Sequence, residues 1–319
     1  MKKKDGLSTQ MIRPLGKRSS LWKRDFRGNY DLYLISLIPL IVLIIFSYGP
    51  MYGVQIAFKN YMTSKGIMGS PWVGFEHFAR LFSGYNFERI LKNTVLLSFY
   101  QLIVNFPFPI ILAILLNEAR WKIGKKTVQM VSYAPHFIST VLLASIILVF
   151  FDRSNGLVNI IIEKMGGERI SFMAEPKYFK HIYVWSGVWQ NVGWGSIIYI
   201  SALAGIDPEL KEAASVDGAS RLKKIIHIDL PGILPTAITL LILDLGKVMS
   251  VGFDKAFLLQ NDLNLEASEI ISTYVYKTGI TNGEYSFSTA VNLFNSAINI
   301  ILLLTANEIA KKVSDTSLW

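Results

Sequence analysis

A series of long apolar runs, separated by charged segments, constrains the fold of this chain more than any other feature. Only 17% of the 319 residues are charged, against roughly 25% in an average soluble protein. Apolar runs of about 18 residues or more predict helices that cross a membrane. We therefore predict an all-α integral membrane protein with six transmembrane helices. The predicted spans are 31–49, 93–116, 128–151, 182–205, 232–251 and 289–310.

The distribution of lysine and arginine predicts the orientation of these spans. A basic tail over 1–30 precedes the transmembrane domain 31–311, and a short tail over 312–319 follows it. If the N-terminus is cytoplasmic, the inner segments carry nineteen lysines and arginines and the outer loops carry twelve. Because basic residues favour the cytoplasmic side, both termini are predicted to be cytoplasmic.

Several kinds of chemistry are disfavoured by what the chain lacks. It contains no cysteine, and its four histidines are far apart in sequence, so we predict no metal site. No phosphate-binding G-x-x-x-x-G-K-[ST] pattern or nucleophile elbow occurs, so we predict no catalytic residue and no cofactor in this chain. The net charge of +9 fits a membrane protein with a basic inner side better than a nucleic-acid-binding protein.

The inner loop 206–231, between the fourth and fifth spans, predicts a helical hairpin. Asp207 is a suitable N-cap, and Pro208 suits the first helical position. Gly218 can end this helix and turn the chain. A second short helix is predicted from about Ala219, with Pro231 marking entry to the next span.

The same loop carries a motif of seven fixed positions. A random window matches these positions with odds on the order of 10⁻⁸. The loop resembles the EAA motif of permeases from bacterial binding-protein-dependent ABC importers. Asp217 and Ala219, which flank the motif glycine, are similar to the sugar-importing branch. The fixed positions are Glu212, Ala213, Ala214, Gly218, Ile228, Leu230 and Pro231.

The resemblance extends over most of the chain and implies a function. Trp72–Phe78 in the first outer loop resembles the general family pattern. Tyr48–Lys59, Val251–Lys255 and the basic tail are similar to the polysaccharide and oligosaccharide branch of the maltose-permease family. The implied fold is the type I ABC importer permease, which imports sugar by alternating access across the bacterial plasma membrane. In that family the EAA loop forms a coupling helix that contacts a separate ATPase.

The implied partners follow from the same resemblance. They are a second homologous permease, two ATPase subunits that bind ATP and Mg, an extracytoplasmic sugar-binding protein and the lipid bilayer. The expected substrate is an oligosaccharide, and nucleic acid is not an expected partner. The implied ATPase-coupling residues are Glu212, Ala213, Ala214, Asp217, Gly218, Ala219, Leu230 and Pro231.

Polar residues within the predicted spans are candidates for the sugar path. Ionisable groups in a span are costly and suggest function, and amides can both donate to and accept from sugar hydroxyls. Packing between helices explains the residues of the fourth and sixth spans at least as well. For Asp244 and Lys247, which are three residues apart, an intrahelical pair that fixes the helix orientation explains them equally well. The candidates are Gln190, Asn191 and Trp194 on the fourth span, Asp244 and Lys247 on the fifth, and Asn292, Asn295 and Asn299 on the sixth.

Two alternative functions stay open at this stage. The first is an ABC permease for a non-sugar solute, which would share the architecture and the EAA loop. The second is an ion-coupled secondary transporter or membrane enzyme, which would act without an ATPase partner. The sequence leaves open which sugar is carried, whether it bears uronate groups, and whether the second permease is identical to this chain.

Overall fold

The computed structural model describes residues 28–313, and this part of the chain is built from helices. Among these residues, Lys59 and Trp72 form one isolated antiparallel β-bridge. The prediction of an all-α fold is therefore confirmed. Residues 1–27 of the predicted basic tail and 314–319 of the predicted C-terminal tail lie outside the described residues.

Fourteen helices, numbered here in chain order, follow one another along residues 28–313. They are α1 (Tyr30–Phe58), α2 (Gly66–Gly69), α3 (Glu76–Ser83), α4 (Phe87–Glu118), α5 (Lys122–Phe137), α6 (Thr140–Phe150), α7 (Leu157–Lys164), α8 (Pro176–Ala204), α9 (Pro208–Val216), α10 (Arg221–Leu245), α11 (Phe253–Leu259), α12 (Leu265–Ser268), α13 (Ile271–Tyr276) and α14 (Tyr285–Val313). The chain divides into two compact units, of which the first ends at Gln55 and the second begins at Ile56.

Within residues 28–313, four helices are long and apolar enough to cross a membrane, namely α1, α4, α10 and α14. A fifth span results if α5 and α6 are counted together as one broken span. Helix α8 has 29 residues, which is long enough to cross. It falls outside the apolar set because glycine, serine and amide residues interrupt its apolar positions. The count of six spans stays a prediction.

The third predicted span is broken rather than continuous. Helices α5 and α6 meet at an angle of 102°. The chain tightens into a 3₁₀ turn over Ala134–Phe137, which contains Pro135, and then becomes extended at Ile138. Ser139 starts a new helix by accepting a hydrogen bond from the backbone N–H of Leu142 at 3.3 Å. The segment 128–151 is therefore not one continuous helix, because a proline turn and a new N-cap interrupt it. That the bent pair crosses the membrane as one span stays a prediction.

The fifth predicted span belongs to a longer helix with different ends. Helix α10 begins at Arg221, not Ala219, because Ser220 is its N-cap. It passes through a wider π-helical turn over Ile225–Asp229 and continues into the apolar segment. It ends at Leu245, six residues before the predicted end of the fifth span at 251. The backbone N–H of Met249 instead donates to Asn299 Oδ1 of α14 at 3.0 Å.

Helix α8 packs at the centre of the second unit, against α4 and α5. Its approach to α5 requires glycine, since a Cβ at Gly193 would lie 2.1 Å from the carbonyl oxygen of Ser132. Small residues permit this kind of close backbone approach in membrane proteins. The glycine positions of α8, which lower its hydropathy, therefore allow it to pack closely.

Three apolar clusters hold the second unit together. The first joins α4, α6, α8 and α11 around Leu97, Leu143 and Phe179. The second joins α3, α4, α13 and α14, with Phe287 among its buried members. The third joins α4, α8 and α10 around Ile233. Helix α4 takes part in all three clusters, so it links the regions that carry the candidate site residues.

Candidate functional site

The motif loop folds as a helical hairpin whose first helix is α9. The Asp207 side chain accepts a hydrogen bond from the backbone N–H of Glu209 at 2.9 Å. Pro208 occupies the first helical position, where a backbone N–H would have no helical partner. The predicted start of this helix is confirmed.

The turn of the hairpin depends on Gly218, whose φ is +74°. Side chains disfavour this left-handed conformation, and glycine adopts it readily. The backbone N–H of Ala219 donates to the carbonyl of Ala214 at 2.8 Å, and that of Gly218 donates to Ser215 at 3.2 Å. These bonds satisfy the last carbonyls of α9 and reverse the chain toward α10.

The surface of the hairpin is open. No residue of α9 is buried, and Glu212, Ala213, Asp217 and Gly218 are all exposed. Two apolar side chains beside the turn are unusually exposed, Val216 at 88% and Leu222 at 65%. We call this surface the hairpin tip. Val216 was not a sequence candidate, although an apolar residue beside the motif Asp217-Gly218 is a usable signal.

Leu230 and Pro231 lie away from the hairpin tip, within the long helix α10. Together with Phe106 and Ile110 of α4, they line an apolar groove of about 460 Å³. The motif thus divides between two places, because its last two residues follow the π-helical turn and continue along α10.

A polar cavity of about 250 Å³ lies where α4 faces the end of α10. Ser98, Gln101 and Asn105 line it from α4, at spacings that put them on one helix face. Ser98 is 3% exposed, and its hydroxyl has no hydrogen-bond partner within the described part of the chain. Gln101 Oε1 and Asn105 Oδ1 are also buried without partners there. The sequence candidates did not include these three residues.

Asp244 and Lys247 also line the polar cavity, with Ser250 beside them. Lys247 lies beyond the end of α10, so the two residues do not form the predicted intrahelical pair. Their backbones are joined, since the Lys247 N–H donates to the Asp244 carbonyl at 3.1 Å. Their side chains form no ion pair with each other or with other described residues. The cavity therefore brings one carboxylate and one ammonium group together with neutral polar groups.

The candidates on α8 lie at the break between α5 and α6 instead. Gln190 Nε2 donates to the carbonyl of Ile138 at 2.9 Å, and Asn191 Oδ1 lies 3.0 Å from His136 Nδ1. The Trp194 ring stacks on His136, with 4.5 Å between ring centroids. These contacts support the helix break, as expected for polar groups that satisfy an interrupted backbone.

The candidates on α14 support the chain segment beside the cavity. Asn295 Nδ2 donates to the carbonyl of Met249 at 3.3 Å. Asn299 Nδ2 donates to the hydroxyl of Ser250 at 3.0 Å. Asn292 is exposed and lies apart from both contacts. Two of the three amides therefore bind the segment that carries Lys247 and Ser250.

A buried lysine lies outside the predicted spans, on α11. Lys255 Nζ donates to the carbonyl of Tyr183 at 2.6 Å and lies 4.6 Å from the centre of the Tyr183 ring. Burial lowers the pKa of Lys255 to about 7, because the charged form loses hydration. No group of three or more possible metal ligands occurs among residues 28–313.

Comparison with known proteins identifies the family. Residues 78–314 match the family described as "Binding-protein-dependent transport system inner membrane component". The chain belongs to this family, and it is thus a multi-pass inner-membrane transport subunit and not itself an enzyme.

Two relatives come from Bacillus subtilis (strain 168). The chain is 43% identical to "Protein LplB" over 93% of this chain and 94% of LplB. It is also 43% identical to the "Polygalacturonan/rhamnogalacturonan transport system permease protein YteP", over 95% of this chain and 94% of YteP. The similarity therefore extends over nearly the whole length of both relatives.

A solved structure shares the fold of the chain. It is the "bacterial alginate ABC transporter in complex with alginate pentasaccharide-bound periplasmic protein". The TM-score is 0.86 at 38% identity, and the match covers 93% of this chain and 99% of that one. The predicted type I ABC importer permease fold is confirmed by this likeness.

Proposed function

We propose that this chain is the permease subunit of an ATP-driven importer of oligosaccharides released from polysaccharides. Family membership supports the transport role, and the substrates of YteP (polygalacturonan and rhamnogalacturonan) and of the alginate transporter support the sugar class. The observation that carries the proposal is the polar cavity, because it holds unpartnered oxygen atoms between helices that are otherwise apolar.

The polar cavity has the chemistry that a sugar requires. Ser98, Gln101 and Asn105 offer a hydroxyl and two amides, which can both donate to and accept from sugar hydroxyls. Asp244 and Lys247 add one acceptor and one cation. A buried polar group without a partner is costly, so a hydroxyl-rich solute that satisfies these groups would bind favourably. Asn295 and Asn299 then act indirectly, by positioning the segment 249–250.

The hairpin tip is proposed as the contact with the ATPase. Its small residues, Ala213 and Ala214, let a partner approach closely, while Val216 and Leu222 offer apolar area to a groove. Glu212 offers a negative charge to a basic residue of that partner. ATP and Mg bind to the ATPase pair, which closes, displaces the hairpin and opens the cavity outward. Hydrolysis resets the cycle.

The assembly we propose contains a second homologous permease, two ATPase subunits and an extracytoplasmic sugar-binding protein. This chain contributes six spans, with α8 as the fourth and the broken pair α5–α6 as the third. Both of its termini are cytoplasmic, which leaves the hairpin tip on the same side as the ATPase. The apolar groove beside Leu230 and Pro231 then lies within the membrane.

The test is uptake and ATP hydrolysis by the reconstituted complex in proteoliposomes, with the sugar-binding protein supplied outside. Neutral and uronate-containing oligosaccharides are compared as substrates. We expect one class to stimulate hydrolysis and to be accumulated. Uptake that needs no ATPase would overturn the proposal in favour of a secondary transporter. Stimulation by an amino acid or peptide, and by no sugar, would favour the non-sugar permease.

Variants of the polar cavity test whether the sugar uses it. We expect Gln101→Leu to lower uptake at limiting sugar about tenfold, the equivalent of one lost hydrogen bond in a buried site. Asn117→Leu is the matched control, because Asn117 is an amide on the same helix that does not line the cavity. Equal uptake by the Gln101 variant and the wild type would show that sugar passes elsewhere.

A further inference from the structure

A buried ion pair joins the hairpin to the long helix α10. Lys211 Nζ on α9 lies 2.6 Å from Asp229 Oδ1, and the Asp229 side chain is 1% exposed. The contact is an ion pair by distance rather than by hydrogen-bond geometry, and no described residue donates a hydrogen bond to Oδ2. The Lys211 ammonium is therefore the group that compensates the Asp229 charge.

The position of Asp229 in α10 gives the ion pair its importance. Asp229 ends the π-helical turn Ile225–Asp229, just before the apolar part of α10 begins. π-Helical turns of this kind are frequent at functional sites. Lys211 and Asp229 both occupy positions that the EAA motif leaves open, immediately before Glu212 and between Ile228 and Leu230. The motif itself therefore assigns neither residue a role.

Little else fixes the orientation of α9 relative to α10. No residue of α9 is buried, so apolar packing does not hold it. The turn at Gly218 joins the two helices, and Lys224 Nζ adds an exposed hydrogen bond to the Ser215 hydroxyl at 3.1 Å. Within residues 28–313, Lys211–Asp229 is the one ion pair that joins α9 to α10. The buried ion pair is thus the main side-chain link between α9 and α10 among the described residues.

A gain in stability does not by itself explain why the chain has a buried ion pair at this position. Replacing a buried ion pair by apolar residues of similar size is often neutral or stabilising, whereas removing one partner leaves an uncompensated charge. We propose that Lys211 and Asp229 form a positioning pair that makes the hairpin and α10 move as one body during transport. The inference rests on the proposed function, because it assumes that an ATPase displaces the hairpin.

The first experiment measures the number of sugar molecules imported per ATP hydrolysed in proteoliposomes. Lys211→Met combined with Asp229→Leu removes both charges, so it avoids leaving a buried carboxylate alone. We expect the complex to assemble and hydrolyse ATP while the sugar-to-ATP ratio falls about tenfold, within the usual range of coupling between sites. Lys223→Met is the matched control, since Lys223 is an exposed lysine of the same hairpin without an ion pair.

The second experiment restores the link covalently. The chain has no cysteine, so Lys211→Cys with Asp229→Cys introduces a unique thiol pair. We expect the reduced form to be uncoupled and a short bifunctional thiol reagent to restore the sugar-to-ATP ratio. Lys211→Arg, which keeps the charge, should stay near the wild-type ratio.

Three outcomes would overturn the inference and leave the proposed function standing. A double variant with the wild-type ratio would show that the pair is not needed for coupling. A cross-linked form that is arrested would show that the pair must open in each cycle, and one no better than the reduced form would show that rigidity is not its role. If the wild type itself shows no sugar-stimulated hydrolysis, the proposed function fails first and the inference fails with it.

Discussion

Replacement of Gly218 should weaken coupling through the backbone of the hairpin turn. Its φ of +74° lies in the left-handed region, where a residue with a side chain loses about 1–2 kcal/mol. No heavy atom lies within 4 Å of the position that a Cβ would occupy, so collision within the chain adds nothing. A loss of 1–2 kcal/mol lowers the ratio of formed to unformed turn by roughly 5–30-fold.

The identity of the new side chain separates this backbone effect from contact with a partner. Asparagine tolerates left-handed φ better than alanine, although it is larger, and β-branched valine tolerates it worst. If the left-handed φ causes the loss of coupling, sugar-stimulated ATP hydrolysis should fall in the order Gly, Asn, Ala, Val. If collision with a tight groove of the ATPase causes the loss, the smaller Ala variant should be more active than the Asn variant.

The assay combines two measurements on the same variants. Sugar-stimulated ATP hydrolysis reports coupling in the reconstituted complex. Spin labels at Val216→Cys and Leu222→Cys, both exposed positions in a chain without cysteine, report the width of the isolated hairpin. We expect a broadened distance distribution for Gly218→Val and a nearly unchanged one for Gly218→Asn. A narrow, wild-type distribution for the Val variant would refute the argument from backbone strain.

Three further predictions concern stability, measured as melting temperature in detergent. Asn159→Leu should destabilise the protein by about 3 kcal/mol, because the amide makes three hydrogen bonds, two of them with the backbone of Ile170 at 2.8 and 3.0 Å. Gly193→Ala should separate α8 from α5, since the new Cβ would lie 2.1 Å from the Ser132 carbonyl oxygen. Between pH about 7 and 10.5, Lys255 binds more protons in the unfolded chain, where its pKa is 10.5, than in the folded chain, where its pKa is about 7. The stability of the wild type should therefore rise with pH in this window, and Lys255→Met should remove that rise.

Matched changes provide the controls for these predictions. Asn155→Leu alters an exposed amide in the turn just before α7, the helix that carries Asn159, and should leave the melting temperature unchanged. Gly205→Ala is the control for Gly193→Ala, because its Cβ would lie 3.4 Å from the Ala202 carbonyl oxygen, an ordinary van der Waals distance. Equal losses in a control and its test variant would show that the hydrogen bonds or the close approach are not the cause. For Lys255, the same dependence of stability on pH in wild type and variant would contradict the argument.

The sequence predicts the helices and the hairpin well because both depend on local properties. Apolar runs predict α4 and α14, and the residues around Asp207 and Gly218 predict both ends of α9. The break between α5 and α6 also had local signals, since Pro135 interrupts the apolar run and Ser139 is a suitable N-cap. The span over 128–151 was predicted from the hydropathy of the run instead, and hydropathy does not distinguish one helix from two.

The polar cavity and the buried ion pair were harder to predict because they depend on tertiary packing. Ser98, Gln101 and Asn105 follow one another at spacings of three and four residues, as Asn292, Asn295 and Asn299 do, so a polar face on α4 was a usable sequence signal. The position of Lys247 beyond the end of α10 was hard to predict, since the segment after Leu245 is held by tertiary contacts such as the hydrogen bond from the Met249 N–H to the distant Asn299 Oδ1. Asp229 gives no sequence signal, because its burial and its contact with Lys211 arise only once α9 folds against α10.

The amide residues of α8 also affect how the proposed six-span protein is made. A segment with Gln190 and Asn191 near its middle is a poor candidate for entering lipid alone, because unpartnered amides are costly in hydrocarbon. Helices α4, α5 and α6 precede it in the chain, so they leave the ribosome before α8 does. Gln190 finds its partner at Ile138 and Gly193 packs against Ser132. The order of synthesis thus supplies α8 with a polar docking surface already within the bilayer, and its membrane insertion becomes an assembly step with earlier helices.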